Sequence, residues 1–202
     1  FGITYKAIDT RLHGYVAIKE FLPGTLANRD GATKTVVPKS HSIDIYSHCL
    51  NAFVDEARRL NQLHHPNVVG VLNFVEQYGT AYIVMKFEEG ESMDLSLKRM
   101  KGTSVAENDI MTVLVPILKG LKAVHDAGML HRDIKPGNIF IRDNGEPMLI
   151  DFGAARQEVG GHTKTMTAMV SMGFAPPEQY SSEGKRQGTW SDIYALAQSL
   201  IR

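Results

Sequence analysis

The sequence has little of several features that would point to a function at once. Of its 202 residues only Cys49 is a cysteine, which excludes an internal disulfide framework and a zinc site built from several cysteines. Lysine and arginine together number 22 and are balanced by 22 acidic residues, so the basic excess typical of nucleic-acid-binding proteins is missing. No apolar run approaches the roughly 20 residues that a membrane helix requires. The function must therefore be read from local motifs.

These absences also limit the partners and the location that we expect. No signal-peptide pattern opens the chain. We therefore expect no nucleic-acid partner and no membrane contact within these residues, and a cytoplasmic location. A membrane anchor of the parent protein would lie outside this chain.

The hydrophobic pattern of the first third is mainly strand-like. Alternating, partly β-branched segments predict strands over about 15–21, 68–74 and 82–87. The helical spacing of Phe53, Ala57 and Leu60 predicts one helix, over about 45–63. The polar stretch 26–42 is expected to be an irregular excursion before that helix.

After Ser92 the pattern turns mostly helical. The longest predicted helix covers 106–127, with Gly128 in the place of a C-cap glycine. We predict an α+β fold of two lobes with a cleft, a strand-rich lobe with its hinge over 1–90 and a helical lobe over 91–202. Both ends read as interrupted elements, which predicts a fragment truncated in the helix that contains Asp192.

The densest chemistry lies in residues 131–138, which read HRDIKPGN, and in the triplet DFG at 151–153. A carboxylate, a lysine and a carboxamide within six residues, in a loop stiffened by Pro136, suit a reaction that orients a hydroxyl and holds divalent cations through oxygen ligands. A polar surface loop is the alternative for the octapeptide alone. The second motif, thirteen residues after Asn138, argues against that alternative.

In this order and spacing the two motifs resemble those of protein kinase catalytic domains, and the similarity extends over essentially all 202 residues. The segments FGITYKA at 1–7, KEFLP at 19–23 and GFAPPEQY at 173–180 are similar to the bacterial serine/threonine kinases of the eukaryotic-like type. The long separation between Lys19 and Glu56 also occurs in that group. The resemblance implies a kinase-like fold and transfer of the ATP γ-phosphoryl group to Ser/Thr hydroxyls of proteins.

The resemblance implies four catalytic residues. Asp133 would accept or orient the substrate hydroxyl, and Lys135 would neutralise charge on the transferred group. Lys19, paired with Glu56 on the predicted helix, would position the phosphates. The cofactors implied are ATP and magnesium, or manganese in its place, with Asn138 and Asp151 as the metal ligands.

The ATP site follows from the same resemblance. Met85 would form the back wall, and the carbonyl of Lys86 and the amide of Glu88 would bind the adenine edge. Thr4 stands where the family usually has valine. The full predicted set is Gly2, Thr4, Ala17, Lys19, Met85, Lys86, Glu88, Asn138 and Asp151.

The segment between the DFG triplet and Glu178 resembles the activation segment. Arg132 is the residue through which the family couples a phosphate on this segment to the active site. Ser171 and Lys135 together favour Ser/Thr acceptors. The candidate phosphorylation sites are Thr163, Thr165, Thr167 and Ser171, and unmodified loop hydroxyls are the alternative for each.

The remaining motif residues are assigned structural roles by the resemblance. His131 and Phe152 are expected to join Leu60 and Val71 in an apolar stack. Asp192 would brace the catalytic loop. Gly153, Arg132 and Glu178 complete this set. Pro176, two residues before Glu178, replaces the alanine that is usual in the family.

Two other function classes are the alternatives, and the sequence argues against both. A pseudokinase would bind nucleotide without transfer, but it requires the loss of at least one of Lys19, Asp133, Asn138 and Asp151, and all four are present. A small-molecule kinase would not need the peptide-binding segment that ends at Glu178. The expected partners are ATP and protein substrates, with self-association for autophosphorylation in trans.

Overall fold

The structure is a computed structural model that describes residues 2–100, 105–153, 173–180 and 187–201. Contacts divide these residues into two units. The strand unit contains 2–62 and 70–87, and the helical unit contains 63–69 and the described residues from 88 onward. Within the described ranges, no helix is long and apolar enough to cross a membrane.

Segment 63–69 belongs to the helical unit because it is bonded to the strand Pro147–Leu149. The Asn67 side chain donates to the Pro147 carbonyl at 2.7 Å, and the Val69 amide donates to the Leu149 carbonyl at 2.9 Å. Within the first 90 residues, the strand unit therefore lacks segment 63–69 and ends at Phe87. The lobe boundary after residue 90 stays a prediction.

The strand unit is built on a four-stranded antiparallel sheet of β1 Gly2–Asp9, β2 Gly14–Phe21, β5 Val71–Gln77 and β6 Thr80–Lys86. Their order in the sheet is β1-β2-β6-β5. Strands β2 and β6 agree with the predicted segments 15–21 and 82–87 to within two residues. The third predicted strand, 68–74, begins later, because Val68 makes only an isolated bridge to Leu149.

Helix α1, Ile43–Gln62, packs on the end of β2 through aromatic contacts. The Phe21 ring lies 5.4 Å from Tyr46 and 5.3 Å from Phe53, measured between centroids, and all three residues are buried. Tyr46 also donates to the Gly79 carbonyl at 2.8 Å, in the turn that joins β5 and β6. The helix predicted from its apolar spacing is therefore confirmed, and its apolar face is held on the sheet.

The expectation of an irregular excursion over 26–42 is wrong in part. A two-stranded hairpin forms from β3, Ala27–Arg29, and β4, Val36–Pro38. Its turn is stabilised by the Asp30 carboxylate, which accepts the Thr33 amide at 2.7 Å. Strands of three residues are too short to give a periodic signal, so the turn chemistry around Asp30 was the only local indication.

Arg29 on β3 forms an ion pair with the buried carboxylate of Glu20 on β2. Glu20 is 1% exposed and accepts hydrogen bonds from Arg29 and, at 3.0 Å, from the Tyr5 hydroxyl. Burial alone would raise the pKa of Glu20, but the hydrogen bonds from Arg29, Tyr82 and Tyr5 lower it below its ordinary value. The carboxylate is therefore charged at neutral pH and depends on Arg29.

This arrangement predicts how stability depends on pH. Because the folded-state pKa of Glu20 is lowered, its contribution is present above the unfolded value of 4.5 and is lost as pH falls through the folded value. Replacing Arg29 by Met should cost about 1–3 kcal/mol at pH 7 by leaving a buried charge without its partner, and less near pH 4. Urea unfolding at both pH values, with the exposed Arg11→Met as control, checks this. An equal cost at both pH values would contradict it.

The helical unit packs a second core around helix α3. This helix, Glu107–Asp126, is followed by Gly128 at φ 70°, so the predicted C-cap glycine is confirmed. The other elements are β7 Gly90–Ser92, α2 Met93–Arg99, β8 Ile139–Arg142, β9 Pro147–Leu149 and α4 Thr189–Ile201, with a β7-β8-β9 sheet. The core is formed by Met93, Ile117, Leu121, Ile134, Ile139, Leu149, Ala195 and Leu196.

Candidate active site

In the helical unit, the Asp133 carboxylate of the predicted catalytic loop is contacted by two other polar side chains of the same loop. Asp133 is only 6% exposed, and its Oδ2 accepts a hydrogen bond from Asn138 Nδ2 at 2.6 Å. The Lys135 ammonium lies 3.0 Å from the same oxygen. The structure thus brings together the predicted base, the predicted charge-neutralising lysine and one predicted metal ligand.

The backbone between these residues explains why they converge. Pro136 begins a 3-10 helix, Pro136–Asn138, and its fixed φ suits the first position of a helix. The Asn138 amide donates to the Lys135 carbonyl at 2.8 Å, and the Asn138 carbonyl accepts the Ile150 amide at 3.0 Å. The single helical turn brings Asn138 back toward Asp133, and β8 starts directly after it.

The orientation of the Asn138 amide fits a role as a cation ligand. Its Nδ2 donates to the Asp133 carbonyl at 2.7 Å as well as to the carboxylate, so the side-chain oxygen Oδ1 is directed away from Asp133. Among the described residues, no group of three or more His, Cys, Asp or Glu side chains could hold a metal alone. Magnesium commonly binds through one or two protein oxygens together with substrate phosphates, and Asn138 with Asp151 matches that donor set.

The DFG triplet is held against the catalytic loop by its backbone. The Gly153 amide donates to the His131 carbonyl at 2.9 Å. A Cβ at Gly153 would lie 3.1 Å from the Asp133 Cβ, so a side chain there would push on the predicted catalytic residue. Asp151 has φ 62°, a left-handed conformation that Asp tolerates better than most residues. Glycine at position 153 therefore lets the two segments approach closely without displacing Asp133.

His131 has a packing role in the helical unit. Its ring is fully buried and stacks on Phe152 with centroids 4.3 Å apart, and its Nε2 lies 3.1 Å from the Ile150 carbonyl. Burial lowers the pKa of His131, so the ring is neutral at physiological pH and Nε2 carries the proton toward that carbonyl. The stacking of His131 on Phe152 agrees with the resemblance, and the contributions of Leu60 and Val71 stay predictions.

Asp192 on α4 accepts hydrogen bonds from the backbone at the start of the predicted catalytic loop. Its Oδ2 accepts the His131 amide at 2.9 Å, and its Oδ1 accepts the Arg132 amide at 2.8 Å. His125 Nε2 lies 2.8 Å from Oδ2, a contact that sequence reasoning missed, because only folding brings α3 beside α4. Burial would raise the pKa of Asp192, but the hydrogen bonds from His125 and from the two backbone amides lower it overall.

Asp192→Asn should loosen the catalytic loop. Asparagine retains one acceptor oxygen and directs an amide group toward donors, which leaves at least one buried backbone N–H without a partner. We expect a loss of about 1–3 kcal/mol in the free energy of unfolding. Chemical denaturation measures it, with Asp94→Asn as the control, since Asp94 is 46% exposed and pairs with Lys98 on the surface of α2. A free energy of unfolding equal to that of Asp94→Asn would contradict the bracing role.

In the strand unit, the register of the sheet places four predicted ATP-binding residues on one face. Thr4 lies opposite Lys19, and Ala17 lies opposite Met85. Directly opposed residues share a face, and so do residues two apart on one strand, such as Ala17 and Lys19. The alternation of the strands therefore brings these four side chains to the same face, and their contacts with ATP stay predictions.

Lys19 points toward α1. Its ammonium lies 5.5 Å from the centroid of the Phe53 ring, and Glu56, which is 5% exposed, lies three residues later on the same helix. A separation of three residues places Phe53 and Glu56 on one side of a helix. The ion pair between Lys19 and Glu56 stays a prediction, supported by this placement.

Gly2 has a steric role in addition to its predicted nucleotide contact. It pairs with Phe21, and a Cβ there would lie 2.0 Å from the Glu20 carbonyl oxygen. Only glycine fits so close to the neighbouring strand.

The hinge residues have structural partners of their own. The Lys86 amide donates to the Gly70 carbonyl at 3.0 Å, and the Glu88 carboxylate lies 3.3 Å from Arg142 Nε. The Lys86 carbonyl and the Glu88 amide are the groups predicted to bind adenine, and these backbone contacts stay predictions.

The end of the activation segment is described only from residue 173 onward. Glu178 accepts a hydrogen bond from the Ser191 hydroxyl at 2.6 Å, a contact that the sequence did not suggest. The four predicted phosphorylation sites, Thr163, Thr165, Thr167 and Ser171, lie outside the described residues.

Comparisons with known proteins identify the family of the chain. The protein kinase domain family matches residues 1–202. The chain is 32% identical to serine/threonine-protein kinase PknK of Mycobacterium tuberculosis, covering 100% of this chain and 16% of that protein. It is 31% identical to serine/threonine-protein kinase F of Synechocystis, covering 98% of this chain and 40% of that protein. The chain thus spans less than half of these curated relatives.

A solved structure gives the same result for the fold. The structure titled PpkA-294, apo form, matches with a TM-score of 0.88 and 37% identity, covering 100% of this chain and 70% of that one. The kinase domain of Mycobacterium tuberculosis PknI, at 22% identity and a TM-score of 0.73, shows the fold alone. The predicted two-lobed α+β kinase fold class is confirmed. The chain therefore belongs to the protein kinase family along its whole length, and its resemblance to the bacterial serine/threonine kinases is confirmed.

Proposed function

We propose that the protein carrying this chain is an ATP-dependent serine/threonine protein kinase. The observation that carries the proposal is the cluster at Asp133, where a buried carboxylate contacts both Asn138 and Lys135. Such a carboxylate can take a proton from a hydroxyl while a cation beside it stabilises negative charge nearby. This is the pairing that phosphoryl transfer to an alcohol requires.

The proposed step moves one phosphoryl group and one proton. The acceptor hydroxyl oxygen forms a bond to the γ-phosphorus of ATP, and the bond from that phosphorus to the β–γ bridging oxygen breaks. The hydroxyl proton passes to Asp133, and ADP leaves with the electron pair of the broken bond. Lys135, 3.0 Å from the carboxylate, is close enough to stabilise charge on the transferred group.

Magnesium, when bound, supplies positive charge to the β- and γ-phosphates. Asn138 would hold it through Oδ1, in the amide orientation that its bonds to Asp133 select, and Asp151 would hold it through its carboxylate. In the strand unit, Lys19 would contact the phosphates, and Thr4, Ala17 and Met85 would face the base from the shared side of the sheet.

The acceptor is a protein Ser or Thr hydroxyl. Lys135, two residues after Asp133, is the feature of the described loop that supports this acceptor class, and Ser171 supports it from the sequence. Incubating the full-length protein with γ-labelled ATP and, in parallel reactions, a generic basic protein, an aminoglycoside or choline tests the proposal. Label on the protein substrate supports it, nucleotide binding without label indicates a pseudokinase, and label only on aminoglycosides or choline indicates a small-molecule kinase.

We propose that Arg132, the residue before Asp133, takes part in regulation by binding a phosphate on the activation segment. Arg132 can meet a phosphate, which carries roughly two negative charges, through a bidentate contact. We expect autophosphorylation in trans at Thr165 or Thr167 in preference to Thr163, and several-fold lower activity when both become Ala. Mass spectrometry of the active protein checks this. An unmodified segment together with a fully active double variant would leave Arg132 with a structural role only.

A further inference from the structure

Gln179, to which the motif analysis assigns no role, contacts the backbone of the catalytic loop. It lies in the 3-10 helix Pro177–Tyr180 at the end of the activation segment and is half-buried. Its side-chain Nε2 donates a hydrogen bond to the Arg132 carbonyl at 3.2 Å. The residue therefore joins the segment next to the predicted peptide site to the residue that precedes the catalytic aspartate.

The carbonyl that Gln179 contacts belongs to the peptide group leading into Asp133. Arg132 has φ 65°, a left-handed conformation that is costly for a residue with a long side chain, so its orientation must be maintained by neighbours. On the other side of this peptide group, the Asp133 amide reaches His131 Nδ1 only at 3.4 Å. The peptide group between Arg132 and Asp133 sets the direction of the Asp133 side chain. Of these two contacts to it, the hydrogen bond from Gln179 is the shorter.

The neighbouring peptide groups of the loop have their own partners. Asp192 accepts the amides of His131 and Arg132 at 2.9 and 2.8 Å, and the Gly153 amide donates to the His131 carbonyl. Asp192 thus holds the peptide groups before Arg132, and Gln179 holds the one after it. The two sets of contacts act on opposite ends of the strained residue.

Gln179 is itself held in place. Its amide donates to the Pro176 carbonyl at 3.0 Å, and the adjacent Glu178 accepts the Ser191 hydroxyl at 2.6 Å. Ser191 directly precedes Asp192 on α4. The segment that carries Gln179 is therefore attached to the same helix end that holds the loop from the other side.

We propose that Gln179 is a positioning residue for phosphoryl transfer, which fixes the peptide group before Asp133 through its side-chain N–H and so couples the end of the activation segment to the base. The inference rests on the proposed kinase function. The coupling acts on the geometry of Asp133, so it affects turnover and leaves the nucleotide contacts of the strand unit unchanged.

The test compares two variants in the full-length protein, prepared in the same phosphorylation state. Gln179→Met keeps the size of the side chain and removes the donor, whereas Gln179→Arg keeps an N–H donor. We expect Gln179→Met to lower kcat about 5- to 30-fold with KM for ATP within about twofold, and Gln179→Arg to recover most of the loss. Gln77→Met, at an exposed position of β5, is the matched control and should leave both constants unchanged.

A second measurement reads the loop directly. Hydrogen exchange of the peptide spanning 130–135 should be faster in Gln179→Met than in wild type, with the melting temperature nearly unchanged. Equal kcat in Gln179→Met and wild type, an equal loss in the Met and Arg variants, or unchanged exchange would each overturn the inference. If the wild-type protein transfers no phosphate, the proposed function fails by itself, while the exchange experiment still decides whether Gln179 holds the loop.

Discussion

Asp133→Asn is expected to lower the rate of phosphoryl transfer by about 100-fold or more while the protein remains folded. The substitution removes the proton acceptor and one negative charge but almost no volume. The replacement amide can still accept hydrogen bonds from Asn138 and Lys135 through its oxygen, so the loop should keep its shape. Steady-state kinetics with a protein substrate measure the loss, and circular dichroism and ATP binding should remain near those of wild type.

The matched control is Asp143→Asn. Asp143 lies in the turn between β8 and β9 of the same unit, and its side chain is exposed, so the same chemical change should leave kcat within about twofold. If Asp133→Asn retained more than a few per cent of the wild-type rate, Asp133 could not be the base. A comparable loss in both variants would indicate a general effect of charge.

Asp151→Ala is expected to remove the part of the ATP affinity that depends on magnesium. The carboxylate is the hard oxygen ligand that would connect the protein to a phosphate-bound cation. Its loss should weaken binding of ATP with magnesium about tenfold or more, which corresponds to about 1.4 kcal/mol or more, and should leave binding without magnesium nearly unchanged. Isothermal titration calorimetry with and without the metal measures both quantities.

Backbone strain must be separated from loss of the ligand. Asp151 has φ 62°, which Ala tolerates poorly, so Asp151→Asn is the second variant, because Asn accepts this conformation and removes only the charge. Asp126→Ala, at a surface residue 63% exposed, is the control. If neither Asp151 variant changes the effect of magnesium, the metal site is misassigned.

Much of the active site could be predicted because its residues are close together in the sequence. Asp133, Lys135 and Asn138 lie within six residues, and one helical turn started by Pro136 is enough to bring them together. The face that carries Ala17 and Lys19 follows from the twofold period of a strand. Local patterns therefore identified both the chemistry and the elements that carry it.

The unpredicted features depend on contacts between distant segments. His125 meets Asp192 across 67 positions, and Gln179 meets the Arg132 carbonyl across 47. Neither has a local signal, because a histidine at the end of a helix and a glutamine after a proline pair occur in many surroundings. The Arg29 contact with buried Glu20 was missed for a related reason, since strand β3 has only three residues.

The most direct test of the central claim is phosphoamino-acid analysis after reaction with labelled ATP. The full-length wild-type protein, Asp133→Asn and Asp143→Asn are each incubated with magnesium, a basic protein substrate and ATP labelled on the γ-phosphate, or on the α-phosphate as a control. We predict phosphoserine and phosphothreonine for wild type and Asp143→Asn with the γ label only, and almost none for Asp133→Asn. Label transferred from the α position, label found only on tyrosine, or equal transfer by Asp133→Asn would contradict a serine/threonine kinase that uses Asp133 as its base.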